Sequence, residues 1–343
     1  MILQRHLDAW LPIMTRSFRK LLYVDGFAGP GVYEGGEPGS PIIALRAAIL
    51  NRALRNKPPD CELGFLFIEE RVDRVAALRE EVKKLLDLEP LPGWLKYHIA
   101  EGEFEAEMAG SFDRWSLRGR RPMFVFIDPF GYSGLPMSLI KRIANVPHSE
   151  CLITFTYKSI NRWAIHGDPQ KERHVDALYG TSSWRDCRGD EQAMVDLYRD
   201  QLLAEGGFKY NCTFKMKDRL GVTEYFLAFG TNEPKGLTVM KAATWKADPR
   251  TGRVFSDADD PDQLFLDLPL DPLREILQCQ FRGCGWVSTE DVIEFVRHTA
   301  YSEEKHLYRN TLGPMERERL LEVDRVLGSR KGTFKGAHRL RFV

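Results

Sequence analysis

No two cysteines of this 343-residue chain are spaced Cys-x-x-Cys. The six that are present therefore outline neither a disulfide framework nor a zinc module, and Cys279 and Cys284, close together but without a matching pair, read as buried thiols. An excess of one charge is also missing: 49 Lys and Arg balance 49 Asp and Glu, so any surface for nucleic acid has to be local. No apolar run is long enough to span a bilayer. Residues 1–20 place Leu3, Leu7, Trp10, Leu11 and Met14 at helical spacing between charges, which predicts an amphipathic helix beside the first strand instead of a signal peptide. The expectation is a soluble, cytoplasmic protein without a membrane partner. There is no Gly-Lys-Ser or Gly-Lys-Thr for a triphosphate loop. His166 and His174 lack ligand spacing, so no metal is expected.

What is present begins at residues 21–31, LLYVDGFAGPG. Leu21 to Val24 form a short apolar, β-favouring run suited to a strand buried on both faces, and Asp25 closes it. Gly26, Gly29 and Gly31 follow, and then Gly39-Ser40-Pro41, where Ser40 can cap a helix and Pro41 can occupy its first position. A strand, an acid, a glycine turn and a helix make a cofactor cradle at the carboxyl edge of a parallel sheet; a plain structural turn is the competing reading. The form Asp-x-Phe-x-Gly-x-Gly resembles motif I of class I S-adenosylmethionine-dependent methyltransferases, which implies Asp25, Phe27, Gly29 and Gly31 as cofactor-binding residues.

Further strands are predicted at 63–68, 95–99, 123–127 and 151–157, with helices at 41–54 and 72–88 between them. The second strand ends in Glu69 and Glu70. By the same resemblance Glu69 would hold the cofactor ribose, Glu70 being equally able to open the next helix. The segment Ala100 to Phe104 resembles the Gly-Asp-Phe stretch placed against adenine, which implies Glu103 and Phe104 there; a helix amino terminus also accounts for Glu103. After the fourth strand stands Asp128-Pro129-Phe130-Gly131. It is similar to the Asp-Pro-Phe-Gly of tRNA guanine-N2 dimethyltransferases, a variant of the motif with which amine methyltransferases orient their target. The resemblance implies Asp128, Pro129 and Phe130 as catalytic residues, Asp128 orienting the amine and Phe130 packing on the base.

Residues 157–208 carry helical patterns at 171–179 and 191–205 and form an insertion able to cover the site; Lys158 and Arg162 offer cations near the cofactor edge. Alternating segments at 210–216 and 222–229 predict the antiparallel hairpin that separates a methyltransferase sheet from a dinucleotide-binding one, and 236–245 a further helix. The polar, Asp-rich stretch 248–264 reads as a linker. Beyond it, helices at 272–280, 289–298 and 311–322 followed by a hairpin describe a winged-helix-like domain over 265–343. Arg317 and Arg319 on its third helix and Arg330, Lys331, Lys335 and Arg339 on its wing are the candidate nucleic-acid contacts, a solvated basic tail being the alternative.

The order of these motifs, with Trp10, Ile160-Asn161-Arg162, Lys235-Gly236-Leu237 and the ending from Gly332 to Phe342, resembles the three-Cys-motif partner protein family across nearly the whole chain. The expectation is an α/β protein: a Rossmann-like class I methyltransferase sheet with a helical insertion over residues 1–247, a linker, and the winged-helix-like domain. The function read from it is methyl transfer from S-adenosylmethionine to an exocyclic amine of a nucleobase in RNA or DNA. The alternative is a non-catalytic nucleic-acid-binding or adaptor protein on the same scaffold, partnering a three-Cys-motif, radical-S-adenosylmethionine-like protein. A small-molecule methyltransferase is a third reading.

Overall fold

Strands form where apolar residues run unbroken, and their alternation sends successive side chains to opposite faces. A computed structural model of the chain describes residues 2–55, 57, 60–116, 121–129, 135–164, 169–256, 272–330, 332–336 and 338–343. Its helices and strands begin with α1 (Ile2–Ser17), β1 (Lys20–Asp25), α2 (Ser40–Ile49), β2 (Glu62–Glu69), α3 (Val72–Leu88), β3 (Leu95–Glu101), α4 (Phe104–Ser116), β4 (Met123–Ile127), α5 (Met137–Ala144) and β5 (Glu150–Phe155). They continue with α6 (Tyr157–Ala164), α7 (Pro169–Tyr179), α8 (Glu191–Ala204), β6 (Tyr210–Lys217), β7 (Thr223–Thr231), α9 (Pro234–Ala247) and β8 (Val254–Ser256).

These strands form one sheet in the order β3-β2-β1-β4-β5-β7-β6-β8. The strands from β3 to β5 are parallel, while β7 runs antiparallel to both β5 and β6. This is the mixed α/β, methyltransferase-like Rossmann arrangement, with one strand added at an edge. Leu21, Tyr23, Phe65 and Phe124 bury one face under α1, α2, α3 and α9. Leu22, Val24, Ile68 and Val125 bury the other under α4, α5, α7 and α8. In-register pairing of Asp25 with Phe67 and Phe126, and of Glu69 with Glu101, brings the ends of β1 to β4 to one edge.

Three local expectations change. Residues 254–256, inside the expected linker, are β8, paired parallel to β6. Asp248 organises the approach to it, accepting from the N–H groups of Arg250, Thr251, Arg253 and Val254. Residues 257–264 lie outside the described residues. The fifth strand stops at Phe155 and Lys158 belongs to α6. The insertion is also part of the core, because Tyr179 and Tyr198 are buried against Phe155 with ring centroids 6.0 and 4.5 Å away.

The C-terminal unit has its own hydrophobic cluster, including Leu277, Val292, Leu312 and Leu340. It comprises α10 (Pro272–Phe281), β9 (Val287–Ser288), α11 (Thr289–Arg297), a π-helix (Glu303–Leu312) running into α12 (Gly313–Arg317), β10 (Leu321–Asp324) and β11 (Arg339–Phe342). Its three strands are antiparallel in the order β10-β11-β9. The helix expected at 311–322 is thus displaced toward the N-terminus: the chain reverses at Arg319, whose φ is 63°, and Glu322 is in a strand. Cys279 and Cys284 are exposed, contrary to the reading as buried thiols. Cys279 lies on the solvent side of α10, and Cys284 stands between two left-handed glycines, Gly283 and Gly285.

One side chain ties this unit to the sheet. Lys241 of α9, 2% exposed, donates to the carbonyls of Val296 (3.1 Å), Arg297 (2.9 Å) and Tyr301 (2.8 Å). A helix C-terminus leaves carbonyls unpaired and carries the negative end of the dipole, so an ammonium is the matching partner. Trp245 adds a bond from Nε1 to the Ala300 carbonyl at 2.8 Å. Lys241→Met leaves the Arg297 and Tyr301 carbonyls without this donor, Val296 O keeping the Thr299 N–H, and is expected to cost roughly 3 kcal/mol in denaturant unfolding. Residues 289–301 should then exchange their amides faster, whereas Lys246→Met on the exposed side of the same helix stays within about 0.5 kcal/mol.

Candidate active site

The turn after β1 contains Gly29 at φ 63° and Gly31 at φ 86°, a left-handed conformation that glycine adopts without strain. Glu69, the last residue of β2 and 4% exposed, holds that turn in place. Its Oε2 accepts from the Gly29 N–H at 2.9 Å and its Oε1 from the Arg71 N–H at 3.0 Å. Each oxygen keeps a further lone pair. Backbone bonds from Gly26 N–H to Phe126 O (2.9 Å) and from Ala28 N–H to Ile68 O (2.8 Å) fasten the turn to both neighbouring strands.

Beside this turn is a cavity of about 380 Å³. Glu69, Glu103, Phe104, Phe27, Pro129 and the backbone of Gly26 contribute to its walls. Phe104 begins α4 and is buried against Gly26 so closely that a Cβ on that glycine would lie 2.6 Å from the ring. Glu70 and Glu105 also line the cavity, against the cations Arg74 and, when protonated, His174. Four carboxylates in one small space make it strongly acidic. It therefore suits a cationic or hydrogen-bond-donating ligand and opposes a phosphate.

A second cavity, also about 380 Å³, lies at the ends of β4 and β5 on the face covered by α1. Its walls are mostly apolar, with Phe126, Leu152 and Leu227 among them, and its polar groups include Asp128, Thr154, Ser40, Tyr33 and Tyr225 and the cations Arg5 and Lys246. Asp128 and Pro129 are consecutive, yet Asp128 lines this cavity and Pro129 the first. Burial raises the Asp128 pKa, and the Thr154 hydroxyl acts in the opposite direction by hydrogen bonding.

Asp25 reaches neither cavity surface. It points under the start of α2, fully buried, accepting from the Tyr23 hydroxyl at 3.3 Å, while its Oδ1 has no hydrogen-bond partner among the described residues. Burial pushes its pKa up to about 7; the Ser40 hydroxyl pulls it down and the nearby Asp128 pushes it up. Ser40 is consequently not the cap expected of it: Gly39 occupies that position and the hydroxyl turns toward Asp25. Tyr33, whose phenol is raised by burial and then by Asp128 and Asp25, stands near both acids.

Of the expected cofactor residues, Phe27, Glu69, Glu103 and Phe104 meet at the first cavity, Gly29 braces it through its bond to Glu69, and Asp25 and Gly31 do not line it. Of the expected catalytic residues, Asp128 and Pro129 stand at the boundary between cavities, and Phe130 lies outside the described residues. Tyr33, Thr154, Arg74 and His174 were not foreseen. Thr154 was findable from strand parity, two residues beyond the inward-facing Leu152, but nothing local marked the others.

The basic candidates are dispersed. Lys158 is exposed on α6, and Arg162 belongs to the same helix. Arg317, Arg319, Arg330 and Arg339 are exposed in the C-terminal unit, where Lys335 lies over the Tyr308 ring at 5.8 Å. Lys331 lies outside the described residues.

No family model and no curated protein matches the chain. Among solved structures it is similar to protein LPL1258 from Legionella pneumophila, with 11% identity over 71% of this chain and 90% of that one and a TM-score of 0.42. It is similar also to the O-methyltransferase TomG from Streptomyces achromogenes, solved with S-adenosylmethionine (14% identity, 67% and 79% coverage, TM-score 0.33). The S-adenosylhomocysteine-bound methyltransferase PaMTH1 of Podospora anserina is a third (14%, 66% and 78%, TM-score 0.28). All three likenesses are distant, and none bears on the three-Cys-motif partner resemblance.

The raised Asp25 carboxyl has a thermodynamic signature. Between pH 4 and 7 the folded chain binds a proton there that the unfolded chain releases, so this contribution to stability is complete at low pH and is lost as pH rises through about 7. Asp25→Asn is expected to gain on the wild type across that window, by roughly 4 kcal/mol at most, in denaturant titrations at successive pH values.

Proposed function

We propose that the chain is an S-adenosylmethionine-dependent methyltransferase whose acceptor is an exocyclic amine of a nucleobase in RNA or DNA. The observation that carries the reading is the acidic, Phe-walled cavity sharing the Asp128-Pro129 peptide with an apolar cavity. The cofactor's ribose diol, adenine amine and cationic groups are all matched by carboxylates, whereas a dinucleotide's pyrophosphate would be repelled. Glu69 would take the ribose hydroxyls through its free lone pairs, Glu103 the adenine amine, and Phe104 and Phe27 the faces of the base. When bound, the cofactor supplies an electrophilic methyl group.

The chain's own residues do the rest. Asp128 would accept a hydrogen bond from the amine N–H, holding the nitrogen toward the first cavity and taking its proton as the new N–C bond forms. Its raised pKa suits a group that must retain a proton, and Thr154 fixes the carboxyl's direction. Phe126, Leu152 and Leu227 exclude water and give a flat base an apolar enclosure. Removing a base from a duplex costs a few kcal/mol, so loops and single strands are the easier substrates.

We read the C-terminal unit as winged-helix-like, on its order of helix, strand, two helices and two strands. Arg317, Arg319, Arg330 and Arg339, which have no ion pair among the described residues, would contact phosphate. Asp128→Ala is expected to lower methyl transfer at least about 100-fold with cofactor affinity changed less than about threefold, and Glu69→Ala to weaken calorimetric cofactor binding at least about tenfold. Full transfer by the Asp128 variant, or no cofactor binding by folded protein, overturns the reading. On duplex DNA, Arg339→Gln should reduce the slope of log affinity against log salt by about 0.9.

A further inference from the structure

Away from the carboxyl edge, a cavity of about 260 Å³ lies between α8, α9, β6 and the end of α11. It exists because β8 covers only part of its neighbour: β8 pairs with Lys215 to Lys217, leaving 210–214 as an open edge. The Lys215 N–H is donated outward to Arg253 O at 2.7 Å. Thr213 and Asn211 share its parity on the antiparallel ladder, so their N–H groups point to the same side, where β8 has ended and the cavity begins.

The side chains around this edge are of one sign. Arg199, Lys215, Lys241 and Arg253 line the cavity, and no carboxylate of the described residues does. Two of the four charges are met from outside it: Lys215 by Glu191 at 2.9 Å and Arg199 by Asp196 at 3.0 Å. The other two are not. Lys241 has only carbonyl oxygens as partners, and the Arg253 guanidinium has no ion pair among the described residues. Burial lowers the Lys241 pKa to about 8, outweighing the opposing pull of Glu303. A guanidinium without an ion pair, next to strand-edge N–H groups that have no partner among the described residues, is a site that an anion completes.

We infer that this cavity binds a small, soluble, phosphate-bearing anion at the junction of the sheet and the C-terminal unit. Its volume is just below the usual range of ligand pockets, about 300–1,000 Å³, which restricts the occupant to a small molecule. The oxygens would take the Thr213 N–H and the Arg253 guanidinium as charge-assisted bonds and face the ammonium of Lys241. Thr299 and Ala300, which follow α11, form part of the wall. The occupant therefore touches both units and favours their docked arrangement. None of these residues lines either cavity of the candidate active site, so the inference stands apart from the methyl-transfer reading.

The test uses the full chain and inorganic pyrophosphate, with sodium chloride holding ionic strength constant. Saturable one-to-one binding by calorimetry, with a rise in the unfolding temperature that follows pyrophosphate concentration, is expected. Arg253→Gln, an exposed position whose loss leaves the fold intact, should weaken that binding at least about tenfold, and Lys215→Met should weaken it as well. Arg79→Gln, on the exposed side of α3, should leave it unchanged. Absence of saturable binding up to about 10 mM, or equal binding by the wild type and Arg253→Gln, overturns the inference.

Discussion

A single buried carboxylate holds the carboxyl edge together. Glu69 takes one N–H from the turn after β1 and one from the start of the segment leading into α3, so two loops from different strands are set by one side chain. The turn's left-handed glycines supply the conformation that lets Gly29 present its N–H to that oxygen. Without the acceptor, the turn would carry a buried unpaired donor, which costs as much as the hydrogen bond it lost. The position of Phe27, the closeness of Gly26 to Phe104, and hence the shape of the first cavity, all follow from this attachment.

The two acids on the other side of the edge work under a different constraint. Asp25 and Asp128 end adjacent strands on the same face, close enough that the charge of one raises the pKa of the other, and both are removed from water. Only one of them can hold a full charge cheaply near neutrality. The hydroxyls of Tyr23, Ser40 and Thr154 are arranged around the pair, each nearer one member. The asymmetry leaves Asp25 as an internal support and Asp128 as the group that faces a cavity.

The large sheet was legible because its central strands are apolar without interruption, and burial on both faces leaves little else such runs can do. Glu69 and Asp128 were legible because a charged residue directly after such a run must lie at a strand end. Tyr33 and His174 were not, since they arrive through loop and helix trajectories that no local spacing records. The β8 strand escaped notice because three residues inside an Asp-rich stretch pair only by virtue of the edge that β6 leaves open. The third helix of the C-terminal unit was misplaced because a π-helix breaks the 3.6-residue period by which helices are read, and because the left-handed Arg319 ends it before Glu322.

The bond between Lys241 and the end of α11 joins residues separated by 55 to 60 positions in the chain. During synthesis α9 can cover the sheet well before residues 296–301 have left the ribosome, so its ammonium must stay hydrated in the interval, beside Arg199 and Lys215. That charge leaves the surface only when its own carbonyl partners emerge, so the two units dock late in synthesis, over a lysine that has waited in water for them.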